Sequence, residues 1–190
     1  MSETIHENKT FEKVDYSGKE LRDREFSHCI FKSCSFEKAD LSGNDFLDCI
    51  FENCNLSLAK LAKTGLKNVQ FTGCKLTGID FSPCNDFLFT VSFNSCSMDY
   101  VAFQRKKMKK TKFKECSIKE SHFTDCDLGE SVFDQCELTD TFFRDNNLEK
   151  VDFRTARNFV IDPEQNKMKK AKFTVLGLVG LVGKYGVEVE

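Results

Sequence analysis

FSHCIFKSCSFEKADL, residues 26–41, places a large apolar residue at every fifth position and a small residue two positions before it. An α-helix repeats every 3.6 residues and a strand every two, so neither produces a spacing of five. A short extended segment followed by a corner that redirects the chain does produce it. Four such segments close a square turn of twenty residues, and stacked turns pair as parallel strands about 4.8 Å apart. The stretch therefore predicts an all-β solenoid.

A column of nine phenylalanines extends this pattern along most of the chain. Its members are Phe11, Phe31, Phe51, Phe71, Phe93, Phe113, Phe133, Phe153 and Phe173. They are 20 residues apart, except for one step of 22 between Phe71 and Phe93. A period of five nested in twenty is an internal repeat. We expect one solenoid over residues 11–173, preceded by an N-terminal tail over residues 1–10.

The step of 22 marks a break in register. Six residues, 82–87, separate the apolar centres Phe81 and Leu88, where four are expected. Because the columns continue on both sides, the pattern predicts a small outward bulge at 82–87 and not a domain boundary. Three phenylalanines of the repeat region lie outside the inward columns: Phe87, Phe89 and Phe142.

The pattern fades towards the C-terminus, where Asn158 and Pro163 occupy central positions and predict a degenerate last coil over 154–173. Residues 174–190 then suggest a short helix and a terminal strand over 187–190. A solenoid end exposes apolar core and unpaired backbone, so this segment is expected to cap it. It serves either as a cap alone or as a cap that also forms a homodimer. The residues predicted for dimerisation are Leu178, Val179, Leu181, Val182, Tyr185, Val187 and Val189.

The ten cysteines follow the repeat. Most lie two residues before a large apolar residue, the position that Ala39 and Ala59 take elsewhere, so a thiol is expected to act as a small buried hydrophobe. There is no Cys-x-x-Cys, and the three histidines are scattered. We expect no metal, no cofactor, no catalytic residue and no enzymatic activity. The absence of a signal-peptide core and of a bilayer-long apolar run predicts a cytoplasmic protein.

Charge is uneven along the chain, although the net charge is only −2. Basic runs cover residues 105–114 and 167–172, and residues 115–152 between them are acidic. Regularly placed carboxylates on a rigid rod can attract a basic DNA-binding groove, or they can simply keep the rod soluble. Direct nucleic-acid binding by the basic runs is not expected, because no outward aromatic residue is available to stack bases. The acidic residues predicted to contact a partner are Glu120, Asp125, Asp127, Glu130, Asp134, Glu137, Asp140, Asp145 and Glu149.

The unit Ala39-Asp40-Leu41-Ser42-Gly43 resembles the pentapeptide-repeat family, whose fold is a right-handed quadrilateral parallel β-helix. Residues 26–43 and 178–189 are similar to the N-terminal coils and the dimerising C-terminal helix and strand of its Qnr type. Those quinolone-resistance proteins bind DNA gyrase and topoisomerase IV. The resemblance implies a DNA mimic that binds a type II topoisomerase and protects it from quinolones. The long projecting loops of some Qnr-type proteins are reduced here to the two-residue excess near Pro83. The alternative is a structural scaffold or protein–protein interaction module with another partner.

Overall fold

The computed structural model describes residues 4–187, which form a parallel β-solenoid with four faces. The first face begins with a four-stranded sheet of β1 (Ile5–Glu7), β3 (Glu25–Ser27), β5 (Asp45–Leu47) and β7 (Gly65–Lys67). The second face is a seven-stranded sheet of β2 (Thr10–Glu12), β4 (Ile30–Lys32), β6 (Ile50–Glu52), β8 (Val69–Thr72), β9 (Val91–Asn94), β11 (Lys112–Lys114) and β13 (Val132–Asp134).

The other sides are built from fewer extended residues. The third face is a row of single-residue parallel bridges from Asp15 to Arg157. The fourth face has similar bridges in its N-terminal part and then β10 (Ala102–Gln104), β12 (His122–Thr124) and β14 (Phe142–Arg144). All pairings are parallel. The predicted β-solenoid is therefore confirmed.

The nine phenylalanines line the inner side of the second face as a stack of rings. Successive centroids are 4.6–5.4 Å apart and the rings lie within 17° of parallel. Phe71 pairs directly with Phe93, so the two extra residues leave this column unbroken. Stacked and edge-to-face rings fill the interior, and such aromatic pairs contribute beyond the area they bury.

Most corners are formed by a residue with left-handed backbone, two positions after a central residue. His28 (φ 53), Ser33 (φ 51) and Lys38 (φ 56) are examples after Phe26, Phe31 and Phe36. Most of these positions are not glycine, although a side chain makes the left-handed region unfavourable by roughly 1–2 kcal/mol. The corner geometry is therefore imposed by the stacked coils and not by local preference.

The small residues two positions before each centre fit the crowded interior, and many of them also donate hydrogen bonds to backbone carbonyls of the preceding coil. The thiol of Cys54 donates to the carbonyl oxygen of Phe31, 23 residues earlier, at 3.3 Å. Ser131 and Asn146 hydrogen-bond the carbonyls of Met108 and Phe123 in the same way. All ten cysteines are free and buried. Burial raises the pKa of Cys49 to about 12, so the thiol remains protonated and can donate.

The solenoid starts earlier than the sequence predicts. Residues 5–7 pair with 25–27, so the N-terminal part is not a tail from residue 1 to residue 10. His6 occupies the central position of this first coil and stacks on Phe26 at 4.8 Å. The pattern missed it because the ring of histidine, although polar, serves there as a flat core side chain.

The bulge buries a different residue from the one that the sequence predicts. Leu88 is 61% exposed, whereas Phe89 is 6% exposed and takes the inward position that was predicted for Leu88. Lys106 reaches into the bulge from the next coil and is 1% exposed. Its Nζ donates to the carbonyl of Cys84 at 2.6 Å and to the carboxylate of Asp86 at 2.5 Å.

The C-terminal segment packs on the last coil. It runs through a 3-10 turn (Leu176–Leu178), helix α1 (Val179–Val182) and a second 3-10 turn (Gly183–Tyr185). Phe159 is buried under it although it lies out of phase, and Ile161 donates its N–H to the carbonyl of Gly180 at 2.9 Å. A Cβ on Gly180 would lie 2.2 Å from the carbonyl oxygen of Phe159, so glycine is required for this approach.

The predicted terminal strand over 187–190 falls almost entirely outside the described residues. Between residues 4 and 187, no helix has the length and apolar character needed to cross a bilayer.

Candidate functional site

The nine predicted carboxylates do not share one face. A coil is 20 residues long, so residues 120–149 pass around the rod and reach all four of its sides. Asp127 lies on the first face, Asp134 on the second and Glu137 on the third. Glu130 and Glu149 lie near the edge between the first and second faces. The expectation of a single acidic contact face is therefore wrong for these five residues.

The remaining four carboxylates do come together, along the two edges of the fourth face. Glu120 and Asp140 are one coil apart at the edge with the third face, and Asp125 and Asp145 at the edge with the first. Their corner positions have left-handed backbone, which turns each side chain outwards. Tyr100 lies one coil before Glu120 on the edge between the third and fourth faces, and its hydroxyl donates a hydrogen bond to Glu120 at 2.9 Å. This hydrogen bond raises the pKa of Tyr100.

An exposed aromatic pair lies between these two acidic edges. His122 and Phe142 are partners on adjacent strands and stack with centroids 5.1 Å apart at 6°. Phe142 is 59% exposed, whereas its neighbour Phe143 points into the core and is 5% exposed. Exposed aromatic rings rimmed by charged groups are typical anchors of protein interfaces. The candidate site therefore consists of Glu120, Asp125, Asp140, Asp145, His122 and Phe142, with Tyr100 at its margin.

Some carboxylates inside and outside the site have partners in the solenoid. Within the site, Asp145 lies 3.8 Å from Arg144 Nε. Asp127 lies 3.3 Å from Lys109 Nζ, and Glu130 lies 3.6 Å from Lys150 Nζ. Glu137 is partly desolvated, which alone would raise its pKa, but hydrogen bonds from Thr139 and Asn158 lower it. These carboxylates are occupied by contacts within the solenoid.

Charge is separated around the rod as well as along it. On the third and fourth faces, residues 115–126, 135–146 and 155–166 contain eight acids and three basic residues. On the first and second faces, residues 107–114, 127–134, 147–154 and 167–174 contain eleven basic residues and five acids. Because neighbouring coils are in register, these segments stack into an acidic side and a basic side of the C-terminal half.

A second exposed apolar feature is the tip of the bulge. Phe87 is 67% exposed, and Lys67 Nζ lies 5.7 Å from the centre of its ring. Asn85 accepts a hydrogen bond from the N–H of Phe87 at 3.0 Å and closes the turn. With Lys106 beneath it, the tip formed by Phe87 and Leu88 is held in a defined position.

The predicted dimerisation residues form the outer surface of the C-terminal segment. Leu178, Val179, Tyr185 and Val187 are 47–58% exposed. Leu181 and Val182 are partly buried, and Leu181 packs against the core. Val189 lies outside the described residues. Lys184 fixes the segment through Asp162 and Glu164, at 2.6 and 2.8 Å.

Sequence reasoning missed His122 and Tyr100 as members of the site. The signal for both was available, since counting steps of 20 from Phe142 and Glu120 reaches them. No group of three or more metal-binding side chains converges within residues 4–187.

Comparisons with known proteins agree with this architecture. Residues 24–103 and 86–173 match the family model described as pentapeptide repeat region. A trypsin-treated form of QnrB1, a plasmid-mediated fluoroquinolone resistance protein, is 18% identical with a TM-score of 0.50, and the match covers 95% of this chain and 99% of that one. Another trypsin-treated form is 16% identical with a TM-score of 0.47, covering 98% and 100%.

A further similar structure is HetL, a pentapeptide repeat protein involved in heterocyst differentiation regulation from the cyanobacterium Nostoc sp. strain PCC 7120. It is 13% identical with a TM-score of 0.39, and the match covers 90% of this chain and 87% of that one. No curated protein sequence matches the chain significantly. At these identities the likeness to solved structures concerns the fold alone.

Proposed function

Because this chain belongs to the pentapeptide-repeat family, we propose that it is a binding protein whose fourth face engages a type II topoisomerase as a mimic of DNA. Proteins of this family are generally non-enzymatic structural or interaction proteins. The observation that supports the proposal best is the pair of acidic edges around His122 and Phe142.

The two acidic edges of the fourth face are complementary in charge to the basic DNA-binding groove of a topoisomerase. Successive coils place Glu120 above Asp140, and Asp125 above Asp145, about 4.8 Å apart along the rod. Two parallel rows of negative charge on a rigid body resemble the two phosphate strands of a duplex in sign and regularity. Such a field steers the rod to a positively charged DNA-binding surface, and Phe142 supplies apolar contact area once it has docked.

Competition with DNA for the enzyme would protect it from drugs that act on its DNA complex. This consequence follows the resemblance to Qnr-type proteins, and QnrB1 itself is described as a fluoroquinolone resistance protein. The protein would meet these topoisomerases in the cytoplasm, and we propose that it is located there.

The decisive experiment compares two quadruple variants with equal loss of negative charge. The site variant is E120Q/D125N/D140N/D145N, and its control is D127N/E130Q/D134N/E149Q on the first and second faces. Binding to purified DNA gyrase and topoisomerase IV is measured at 50 and 300 mM salt, together with supercoiling activity with and without a quinolone. We expect the site variant to bind at least about tenfold more weakly and the control to match the wild type, because only the first set lies on the docking face.

Equal behaviour of the two variants would contradict the assignment of the fourth face. No binding of the wild type at 50 mM salt, with no inhibition and no protection, would overturn topoisomerase recognition. The interaction-module alternative would then describe the protein better.

We also propose that the C-terminal segment joins two copies of the chain. Val175 and Leu176 are 84% and 87% exposed and continue the apolar surface of Leu178 and Val179. A surface of this kind at the end of a rod invites a symmetric partner. Sedimentation of the full chain should give a dimer. L178D/V179D should give a monomer, because two charges interrupt the exposed apolar surface, and it should still fold, because it retains Gly180 and the packing on Phe159. A monomeric wild type would leave the segment as a cap only.

A further inference from the structure

The basic side of the C-terminal half has a regular arrangement of exposed cations. One rung, on the coil before the acidic edges, carries Lys107, Lys109, Lys110, Lys112 and Lys114. A second rung carries Lys167, Lys169, Lys170 and Lys172. All nine side chains are exposed. Lys106, which belongs to the same run in the sequence, points inwards and is not part of this surface.

The two rungs lie on the same two faces. Lys107 leads through Asp127 and Asn147 to Lys167 by parallel bridges, and β11 leads through β13 and Asp152 to Lys172. The rungs are therefore three coils apart, about 14 Å at about 4.8 Å per coil. In the first rung, Lys109 lies 3.3 Å from Asp127 and Lys114 lies 3.5 Å from Glu115. No carboxylate within residues 4–187 lies at ion-pair distance from the four lysines of the second rung.

The two coils between the rungs are different in charge. They carry five acids and only two basic residues on these faces, and ion pairs such as Lys150–Glu130 and Arg154–Asp152 neutralise part of them. Five acids against two basic residues give this strip a net charge of −3, so two parallel positive rows are separated by an acidic strip and do not form one continuous patch.

From this arrangement we infer that the first and second faces bind the phosphate backbones of double-stranded nucleic acid without sequence preference. Each lysine rung lies along one phosphate strand, and the strip between them spans a groove. The separation of about 14 Å is close to the width of the major groove of B-DNA, about 12 Å. Lysines contact phosphates as point charges, and the rigid coils hold them in place before binding.

Other anionic partners fit less well. Single strands are held largely by stacking on aromatic side chains, and the described outward positions of these two rungs contain none. The lack of outward aromatic residues, which argued against nucleic-acid binding from the sequence, does not apply to a duplex, because contacts to its phosphates need no stacking partner. A bilayer surface presents phosphates without fixed rows. The two rungs are separated along the rod, and each crosses both faces, so they correspond to two separated rows of phosphates.

This surface is distinct from the fourth-face site, and the inference does not depend on the proposed function.

The test is fluorescence anisotropy with a labelled 30-base-pair duplex of two unrelated sequences, at several KCl concentrations between 50 and 200 mM. With six or more phosphate contacts, the affinity of the wild type should fall about 10³-fold over this range, equally for both sequences. The variant K167Q/K169Q/K170Q/K172Q should lose about 3–4 from the slope of log K against log salt, since each contact contributes about 0.9. K107Q/K109Q/K110Q/K112Q should behave similarly.

The matched control is K38Q/K60Q/K119Q/R144Q, which removes the same charge from the third and fourth faces. It should retain the wild-type slope. The inference is overturned if the wild type does not bind the duplex at 50 mM KCl, or if the control loses as much as the rung variants. Preference for phosphatidylserine vesicles, polyglutamate or a single strand of the same length over the duplex would also overturn it.

Discussion

Phe142 and Phe143 are neighbours in one strand and offer a sharp test of the structure. Phe143 is 5% exposed, stacks on Phe123 at 5.1 Å and meets the edges of Phe133 and Phe153, each at 5.8 Å. Replacing it with alanine removes the buried ring and leaves a cavity between coils that cannot collapse without breaking their register. The expected loss in the free energy of unfolding is about 3–5 kcal/mol.

Phe142→Ala is the matched control, because it makes the same chemical change one residue away. Phe142 is 59% exposed and loses mainly its stacking on His122, so the expected loss is below about 1 kcal/mol. Urea titration followed by circular dichroism measures both variants. For a chain of this size the Phe143 variant should also melt about 6–20 °C lower, at about 2–4 °C per kcal/mol.

The reasoning would be refuted if the two variants lost similar stability, or if Phe143→Ala lost less than about 1 kcal/mol. Either result would mean that the strand does not alternate between core and solvent as the solenoid requires. If the fourth face is the docking site, Phe142→Ala should in addition weaken partner binding while leaving the fold intact.

Two further predictions concern the bulge and the buried carboxylate of Asp40. Lys106→Ala should destabilise the protein by about 2–4 kcal/mol and make the bulge near Asp86 susceptible to limited proteolysis, because it removes a buried stem and the donor to Cys84; unchanged stability and cleavage would contradict this role. The hydrogen bond from Arg22 lowers the pKa of Asp40 to about 2 from its ordinary 3.8, so the carboxylate stabilises the fold above about pH 4 and this contribution disappears as the pH falls towards 2. Asp40→Asn should cost about 0.5–1 kcal/mol at pH 7, in view of the half-exposed Arg22, and only a small part of that at pH 2, where the carboxyl of the folded protein is about half protonated. A loss that is independent of pH would show that the charge is not involved.

Much of the fold could be predicted from residue spacing because a solenoid converts sequence period directly into geometry. Phe71 and Phe93 are 22 residues apart, yet they pair in register as the columns require. The limits of prediction appear where spacing and chemistry disagree. His6 is polar but central, and Phe89 is buried in place of Leu88 because a bulge has no period that specifies which residue turns inwards.

The candidate site could be predicted only in part. A run of 30 residues passes around the rod, so Asp127 and Asp134 lie on other faces than Asp140 although they are close to it in sequence. Contact of a partner with Glu120, Asp125, Asp140 and Asp145 stays a prediction. Lys106 belonged to a basic run and is nevertheless buried beneath the bulge. Neither fact follows from the order of residues, since each depends on how one coil lies over the next.

By itself the sequence determined the period, the inward columns and hence the solenoid, because burial of a large side chain at every fifth position admits no helix and no simple sheet. Only the tertiary structure decided the surface. Stacking brings together residues 20 apart, such as His122 and Phe142, and distributes neighbours among different faces. Charge that alternates along the chain thereby becomes an acidic side and a basic side of one rod.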